Sequence, residues 1–79
     1  MNNTVKSFSI ILPTFNEAGH IRKLILEIYE IFKSKNVSFE IIVVDDESTD
    51  GTIDIIEDLR RNYEKIFVII RKNKKKNLV

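Results

Sequence analysis

The sequence lacks cysteine and tryptophan and contains a single histidine and a single proline. Without cysteine, a disulfide framework and a thiolate metal site are both excluded, which fits a reducing compartment. Long apolar runs are also missing: the longest is Ile66 to Ile70, whereas a membrane-spanning helix needs roughly 18 or more apolar residues. The sequence therefore predicts a protein without a transmembrane helix. Its predicted location is the cytoplasm, including the cytoplasmic face of the membrane.

An excess of one charge is absent as well. Thirteen basic and twelve acidic residues nearly cancel in a chain of 79 residues, so the overall charge indicates no nucleic-acid partner. Residues 1–6 lack the apolar segment of a secretory signal, and we expect a disordered tether there. Residues 71–79 form a basic tail without aromatic residues, and a solvated terminus is its simplest interpretation. We interpret residues 1–79 as a single partial domain.

Three short apolar segments predict β-strands. The first, FSIIL, runs from Phe8 to Leu12 and ends before Pro13, which cannot donate a hydrogen bond to a neighbouring strand. The second, FEIIVV, runs from Phe39 to Val44, and its nearly continuous apolar character is typical of a strand that is covered on both faces. The third, IFVII, runs from Ile66 to Ile70.

The segments between these strands predict two helices. In the first, apolar residues recur at helical spacing from Ile21 to Phe32, and we expect Thr14 or Asn16 as the N-cap and Glu17 in the first turn. In the second, the residues that share one helical face are Ile53, Ile56, Leu59 and Tyr63.

The order of the elements is therefore β-α-β-α-β, with short connections. The handedness of parallel crossovers turns this order into an α/β fold: a three-stranded parallel sheet with flanking helices. Such a unit is half of a Rossmann-like nucleotide-binding domain. At least one face or edge of its sheet needs cover from elsewhere, so we expect a homo-oligomer or a complementing domain.

Two polar loops follow the first and second predicted strands. They are PTFNE at residues 13–17 and DDESTD at residues 45–50, and ligands of open α/β sheets bind beyond the carboxyl ends of the strands. The acids of the second loop would repel a phosphate unless a metal intervened, whereas ring N–H groups, amines and ribose hydroxyls donate readily to carboxylates. The loops therefore predict a site for the nucleoside end of a nucleotide.

The paired aspartates Asp45 and Asp46 allow other interpretations. A dinucleotide-binding fold needs a Gly-x-Gly-x-x-Gly turn after the first strand, where this chain has only Gly19. A receiver-like or other non-enzymatic α/β binding module remains an alternative, although in phosphoacceptor receiver domains the acidic pair follows the first strand. The simplest alternative is a solvated loop whose acids cap the following helix.

Together, SIILPTFNEAGHI (residues 9–21) and FEIIVVDDESTDGT (residues 39–52) resemble the amino-terminal nucleotide-binding part of the inverting family 2 glycosyltransferases, which are of the GT-A type. LPTFNE is most similar to the polyprenol or dolichol phosphate mannosyltransferases. The resemblance implies a nucleotide pocket lined by Pro13, Phe15, Glu17, Val44 and Asp46. It also implies that Asp45, Asp50, Gly51 and Thr52 shape the loop and begin the second helix.

The resemblance implies a function for the complete enzyme rather than for this chain. A family 2 enzyme transfers a sugar from a nucleotide-sugar donor, with GDP-mannose as one candidate, to a lipid-phosphate or other acceptor. It requires Mg²⁺ or Mn²⁺ held by a downstream Asp-x-Asp motif, and a catalytic base. Neither is found in this sequence, so we expect no catalytic residue and no cofactor in this chain, and no activity of the chain alone. Peripheral membrane association is expected of a full-length relative.

Overall fold

A computed structural model describes residues 7–72. The predicted tether at residues 1–6, and the basic tail beyond residue 72, lie outside the described residues. The elements are β1 (Ser7–Thr14), α1 (Ile21–Ser34), β2 (Ser38–Asp45), α2 (Thr52–Asn62) and β3 (Ile66–Ile70). The five predicted elements are all present. β1 and β2 are longer than predicted, because β1 continues through Pro13 to Thr14 and β2 ends on Asp45.

The three strands form one parallel sheet in the order β1-β2-β3. In its register Thr14 lies beside Asp45, and Asp45 lies beside Ile70. The carboxyl ends of all three strands therefore meet at one edge of the sheet, and the loops that follow β1 and β2 begin there. The predicted α/β fold, a three-stranded parallel sheet with two helices that is consistent with half of a Rossmann-like domain, is confirmed.

The predicted start of α1 was wrong. Its N-cap is His20, without a side-chain hydrogen bond, and the first turn contains no acidic residue. The Glu17 carbonyl instead accepts hydrogen bonds from the backbone N–H groups of His20 and Ile21, each at 2.9 Å, so a separate turn precedes the helix. Thr14 is still part of β1, and Asn16 has a left-handed backbone with φ of 51°. Thr14 and Asn16 are therefore not the N-cap of α1, and Glu17 lies before its first turn.

Both helices pack on the same face of the sheet. Right-handed crossovers between strands that neighbour each other in chain order place successive helices on one side. Ile41 and Val43 of β2 point to that side and are fully buried, as are Ile25 of α1 and Ile56 of α2. Neither helix within residues 7–72 is long and apolar enough to cross a membrane.

The opposite face of the sheet is open. It carries apolar residues from all three strands, among which Ile11 is 53% exposed and Ile69 is 55% exposed. Ile42 and Val44 of β2 are half-buried on this face. The prediction that β2 is covered on both faces is therefore wrong for residues 7–72, since the helices cover one face only. That a second copy or another domain covers the open face stays a prediction.

Candidate functional site

Hydrogen bonds join the loop after β1 to the loop after β2. The backbone N–H of Asp46 donates to the Thr14 carbonyl at 3.0 Å, which extends the pairing of the two strands. The backbone N–H of Asn16 donates to Ser48 Oγ at 2.7 Å, and the backbone N–H of Thr49 donates to Asn16 Oδ1 at 2.8 Å. The two loops therefore form one connected surface at the carboxyl edge of the sheet.

Asp45 is the buried member of the acidic pair. Its carboxylate accepts hydrogen bonds from Thr14 Oγ1 at 2.6 Å, from Ser48 Oγ at 2.7 Å and from the Ser48 backbone N–H at 2.7 Å. Burial raises the pKa of Asp45, but the hydrogen bonds from Ser48 and Thr14 outweigh that effect and leave the pKa below its ordinary value. The side chain thus holds the two loops together, and it has no exposed surface for a ligand.

Asp50, Gly51 and Thr52 connect the second loop to α2. Thr52 is buried; its hydroxyl accepts the Glu17 backbone N–H at 2.8 Å and donates to Asp50 Oδ1. Asp50 also accepts the backbone N–H of Ala18 at 3.1 Å, and its pKa is lowered chiefly by the hydrogen bond from Thr52. Gly51 is the N-cap of α2 with φ of 96°, a backbone conformation that glycine adopts without the steric cost other residues incur.

A cleft of about 280 Å³ opens beside these loops, and we call it the edge cleft. All five residues that the resemblance assigns to a nucleotide pocket line it, and they come from the ends of β1 and β2 and from the loops that follow. Phe15 is 58% exposed at its rim. The lining residues are Pro13, Thr14, Phe15, Glu17, Val44, Asp46 and Arg71.

Two residues that line the edge cleft, Thr14 and Arg71, were not predicted for it, and Arg71 is the charged one. Its Nε lies 3.1 Å from Asp46 Oδ1 and its Nη2 lies 3.2 Å from Asp46 Oδ2, a two-pronged ion pair. The hydrogen bond from Arg71 is the main cause that lowers the pKa of Asp46. By sequence, Arg71 is the first residue of the predicted basic tail. Its position directly after β3, and so at the same edge as Asp46, was the available signal.

The edge cleft combines an aromatic wall with groups of both hydrogen-bonding kinds. Phe15, Pro13 and Val44 offer apolar surface, the carboxylates of Asp46 and Glu17 accept hydrogen bonds, and the guanidinium of Arg71 donates them. Such a lining suits a flat, polar ring that carries N–H groups. The arrangement can therefore bind and orient a ligand through these groups.

The divalent metal that the resemblance implies does not fit the described residues. Within residues 7–72, no group of three or more His, Cys, Asp or Glu side chains could hold a metal ion. Asp45 and Asp46 are neighbours in sequence, but one is hydrogen-bonded inside the loops and the other is paired with Arg71. No step of a reaction is therefore assigned to a metal in this part of the chain.

A larger depression, of about 960 Å³, lies on the outer surface of α1 towards α2. It contains none of the predicted site residues, and its apolar floor includes Leu26, Ile31 and Ile55. Charged side chains of α1 surround this floor, and two of them, Lys23 and Glu27, form an ion pair at 3.1 Å. Although this depression is larger than the edge cleft, it is a weaker candidate for the functional site. Few of its polar groups converge on a position where one ligand could bind.

Comparison with known proteins decides the family. The family model described as glycosyl transferase family 2 matches residues 9–78. The chain belongs to glycosyl transferase family 2. This membership confirms the resemblance given by the two loops, and it leaves the receiver-like alternative without support.

Three family 2 relatives illustrate the similarity. A dolichyl N-acetyl-alpha-D-glucosaminyl phosphate 3-beta-D-2,3-diacetamido-2,3-dideoxy-beta-D-glucuronosyltransferase of Methanococcus voltae is 36% identical over 69 residues, which are 85% of this chain and 21% of that protein. A dolichol-phosphate mannosyltransferase of Mycosarcoma maydis is 32% identical over 73 residues, 87% of this chain and 25% of that protein. A poly(ribitol-phosphate) beta-glucosyltransferase of Bacillus spizizenii is 35% identical over 63 residues, 80% of this chain and 10% of that protein. The chain thus spans a quarter or less of the length of these relatives.

Proposed function

We propose that the edge cleft binds the nucleoside of a nucleotide-sugar donor, and that this chain is the donor-binding part of a family 2 glycosyltransferase. The observation that carries the proposal is the meeting of Phe15, Glu17 and Asp46 in one cleft at the carboxyl edge of the sheet. These three residues come from two loops, and only the parallel pairing of β1 with β2 brings them together.

The chemistry of the cleft suggests a role for each of these side chains. The carboxylate of Asp46 accepts the ring N–H of the base, the exposed ring of Phe15 packs against the base, and the carboxylate of Glu17 accepts a ribose hydroxyl. Guanine and uracil both offer a ring N–H beside a carbonyl group, whereas the corresponding ring nitrogen of adenine is an acceptor. GDP and UDP are therefore the expected ligand types, and ADP serves as a comparison.

The names of the relatives support a proposal for the donor and acceptor of the complete enzyme. The name of one relative includes a dolichyl N-acetyl-alpha-D-glucosaminyl phosphate, and the name of another includes dolichol phosphate. We infer transfer of a sugar to a lipid-phosphate acceptor, with GDP-mannose as the first donor to test, and peripheral association of the complete enzyme with a membrane. Because residues 7–72 lack a metal-binding group, this chain alone is expected to bind a donor without transferring its sugar.

Nuclear magnetic resonance titration of the 79-residue chain tests the donor site. We expect GDP or UDP to shift the backbone amides from Val44 to Asp46, and we expect ADP to shift them less. Asp46→Ala should abolish the shifts, since it removes the acceptor of the ring N–H. Asp54→Ala, which removes an exposed acid of α2 outside the cleft, is the matched control and should preserve them. Absence of shifts in the unmodified chain at millimolar GDP and UDP would end the proposal.

A further inference from the structure

The ion pair between Arg71 and Asp46 lies in the edge cleft, and the proposed function does not use it. Arg71 is held in place by its backbone, since its N–H donates to the Asp45 carbonyl at 2.7 Å and so extends the pairing of β2 with β3. Its side chain then returns over the cleft, and both prongs of the guanidinium meet the two oxygens of one carboxylate. A planar fork that meets a carboxylate in this way fixes the plane of that carboxylate.

Lys72 provides an internal comparison. Arg71 and Lys72 are adjacent, their side chains are both 67% exposed, and each lies near an acid of the same loop. Lys72 Nζ is 3.8 Å from Glu47 Oε2, a single longer contact, and Lys72 does not line the cleft. The two residues therefore carry the same charge at the same exposure, but only Arg71 orients a carboxylate that faces the cleft.

Asp46 retains hydrogen-bonding capacity while it is paired. A carboxylate has about four acceptor positions, two on each oxygen, and a two-pronged contact with arginine occupies one on each. The remaining positions can accept a ring N–H. Without Arg71, Asp46 would share the edge with the carboxylates of Asp45 and Glu17 and would lose the two-pronged contact that fixes its direction.

We propose that Arg71 is a positioning residue: its guanidinium fixes the Asp46 carboxylate in the edge cleft so that the free acceptor positions meet the ring N–H of a bound nucleoside. This inference rests on the proposed function and deepens it. Arg71 acts through Asp46, and its two-pronged geometry matters more than its charge. A lysine at this position keeps the charge but cannot reproduce the fork.

The experiment measures two quantities in the 79-residue chain and in Arg71→Gln, Arg71→Lys and Lys72→Gln. The first quantity is the affinity for uridine and for guanosine, which carry no phosphate, so that a lost cation cannot weaken binding by its attraction to phosphate. The second is the titration midpoint of the Asp46 carboxyl, followed by carbon-detected resonance without ligand. The other charged groups around Asp46 are those of Asp45, Glu17 and the Glu47 and Lys72 pair, and all of them remain in both Arg71 variants.

We expect Arg71→Gln and Arg71→Lys each to weaken nucleoside binding by about two- to fivefold, the range that an exposed ion pair supports. Arg71→Gln should also raise the Asp46 midpoint, while Lys72→Gln should change neither quantity. Full affinity in Arg71→Lys would overturn the inference, because charge alone would then suffice. Weaker binding in Arg71→Gln with an unchanged Asp46 midpoint would also overturn it, because Arg71 would then act on the nucleoside directly.

This experiment distinguishes a failure of the proposed nucleoside site from a failure of the positioning role of Arg71. If the unmodified chain binds neither nucleoside, the proposed function falls. If the unmodified chain binds one of them and Arg71→Gln binds it equally well, the donor site stands and the role of Arg71 is rejected.

Discussion

Thr14 Oγ1 donates a 2.6 Å hydrogen bond to Asp45 Oδ1 and so joins the last residue of β1 to the last residue of β2. Both side chains are buried. Ser48 adds two more donors to the same carboxylate, so that one ionised group organises the start of both loops. Asp46, the next residue, is thereby left at the surface of the edge cleft.

Replacement of the Asp45 carboxylate by an amide should destabilise the protein. In Asp45→Asn a single carbonyl oxygen must serve three donors, and the amide NH₂ group is placed against hydroxyl and N–H donors. Hydrogen bonds to charged groups contribute about 1.5 to 3 kcal/mol each, and we expect the free energy of unfolding to fall by about 2 to 3 kcal/mol. Urea denaturation at neutral pH measures this change. Glu64→Gln, at an exposed position beyond α2, is the control and should be nearly neutral.

Acid should destabilise the folded chain through the loop carboxylates. In the folded state the pKa values of Asp45, Asp46 and Asp50 lie below their ordinary value of 3.8. The unfolded chain therefore binds protons more readily, so these groups stabilise the fold above pH 3.8 and lose that contribution as the pH falls through their lower pKa values. Urea denaturation between pH 5 and pH 2 should show this loss. A decline in Asp45→Asn as steep as in the unmodified chain would contradict the role of Asp45.

The two glycines should respond differently to alanine. Gly51 has φ of 96°, while an added Cβ at either Gly51 or Gly19 meets no atom within 4 Å. Gly51→Ala should therefore lower the free energy of unfolding by about 1 to 2 kcal/mol, the cost of a left-handed backbone conformation in a residue other than glycine. Gly19→Ala should be neutral or stabilising by up to about 1 kcal/mol, since it restricts the unfolded chain. Thermal denaturation compares the two, and equal effects would contradict the backbone assignment at Gly51.

The faces of the sheet should differ in their contribution to stability. Ile41→Ala removes a fully buried side chain under both helices and should lower the free energy of unfolding by about 2 to 5 kcal/mol. Ile69→Ala lies on the open face, where the side chain is 55% exposed, and should cost less than about 1 kcal/mol. Denaturation at several protein concentrations tests this. If Ile69→Ala costs as much as Ile41→Ala, a second copy covers that face in solution.

The fold was predictable because its signals are local. β3 has the predicted bounds. The period of the apolar residues indicated the buried side of α2 at Ile56 and Leu59 and that of α1 at Ile21 and Ile25. Leu24 and Ile31 have the same helical spacing in α1, but they are 43% and 51% exposed.

The start of α1 was missed because Thr14 and Asn16 have the chemistry of N-caps but are used elsewhere. Thr14 bonds Asp45 across the sheet, and Asn16 bonds the backbone of Thr49. These long-range bonds outcompete local capping, and spacing along the chain does not reveal them.

Five residues that line the edge cleft were predictable from the sequence, whereas Arg71, which balances the charge of Asp46, was not. The positions of Phe15, Glu17 and Asp46 follow from the parallel order of strands, which brings the carboxyl ends together. The contribution of Arg71 depends on the register of β3 against β2, where Asp45 pairs with Ile70. A run of apolar residues does not specify that register, so the residue that balances Asp46 was counted with the tail instead.

Intermolecular nuclear Overhauser effects between GDP or UDP and the 79-residue chain test the central claim most directly. The account predicts contacts from the base protons to the ring of Phe15 and to the methyl groups of Val44, which line the edge cleft together. Base contacts confined to Leu26 and Ile31, in the larger depression beside α1, would contradict it.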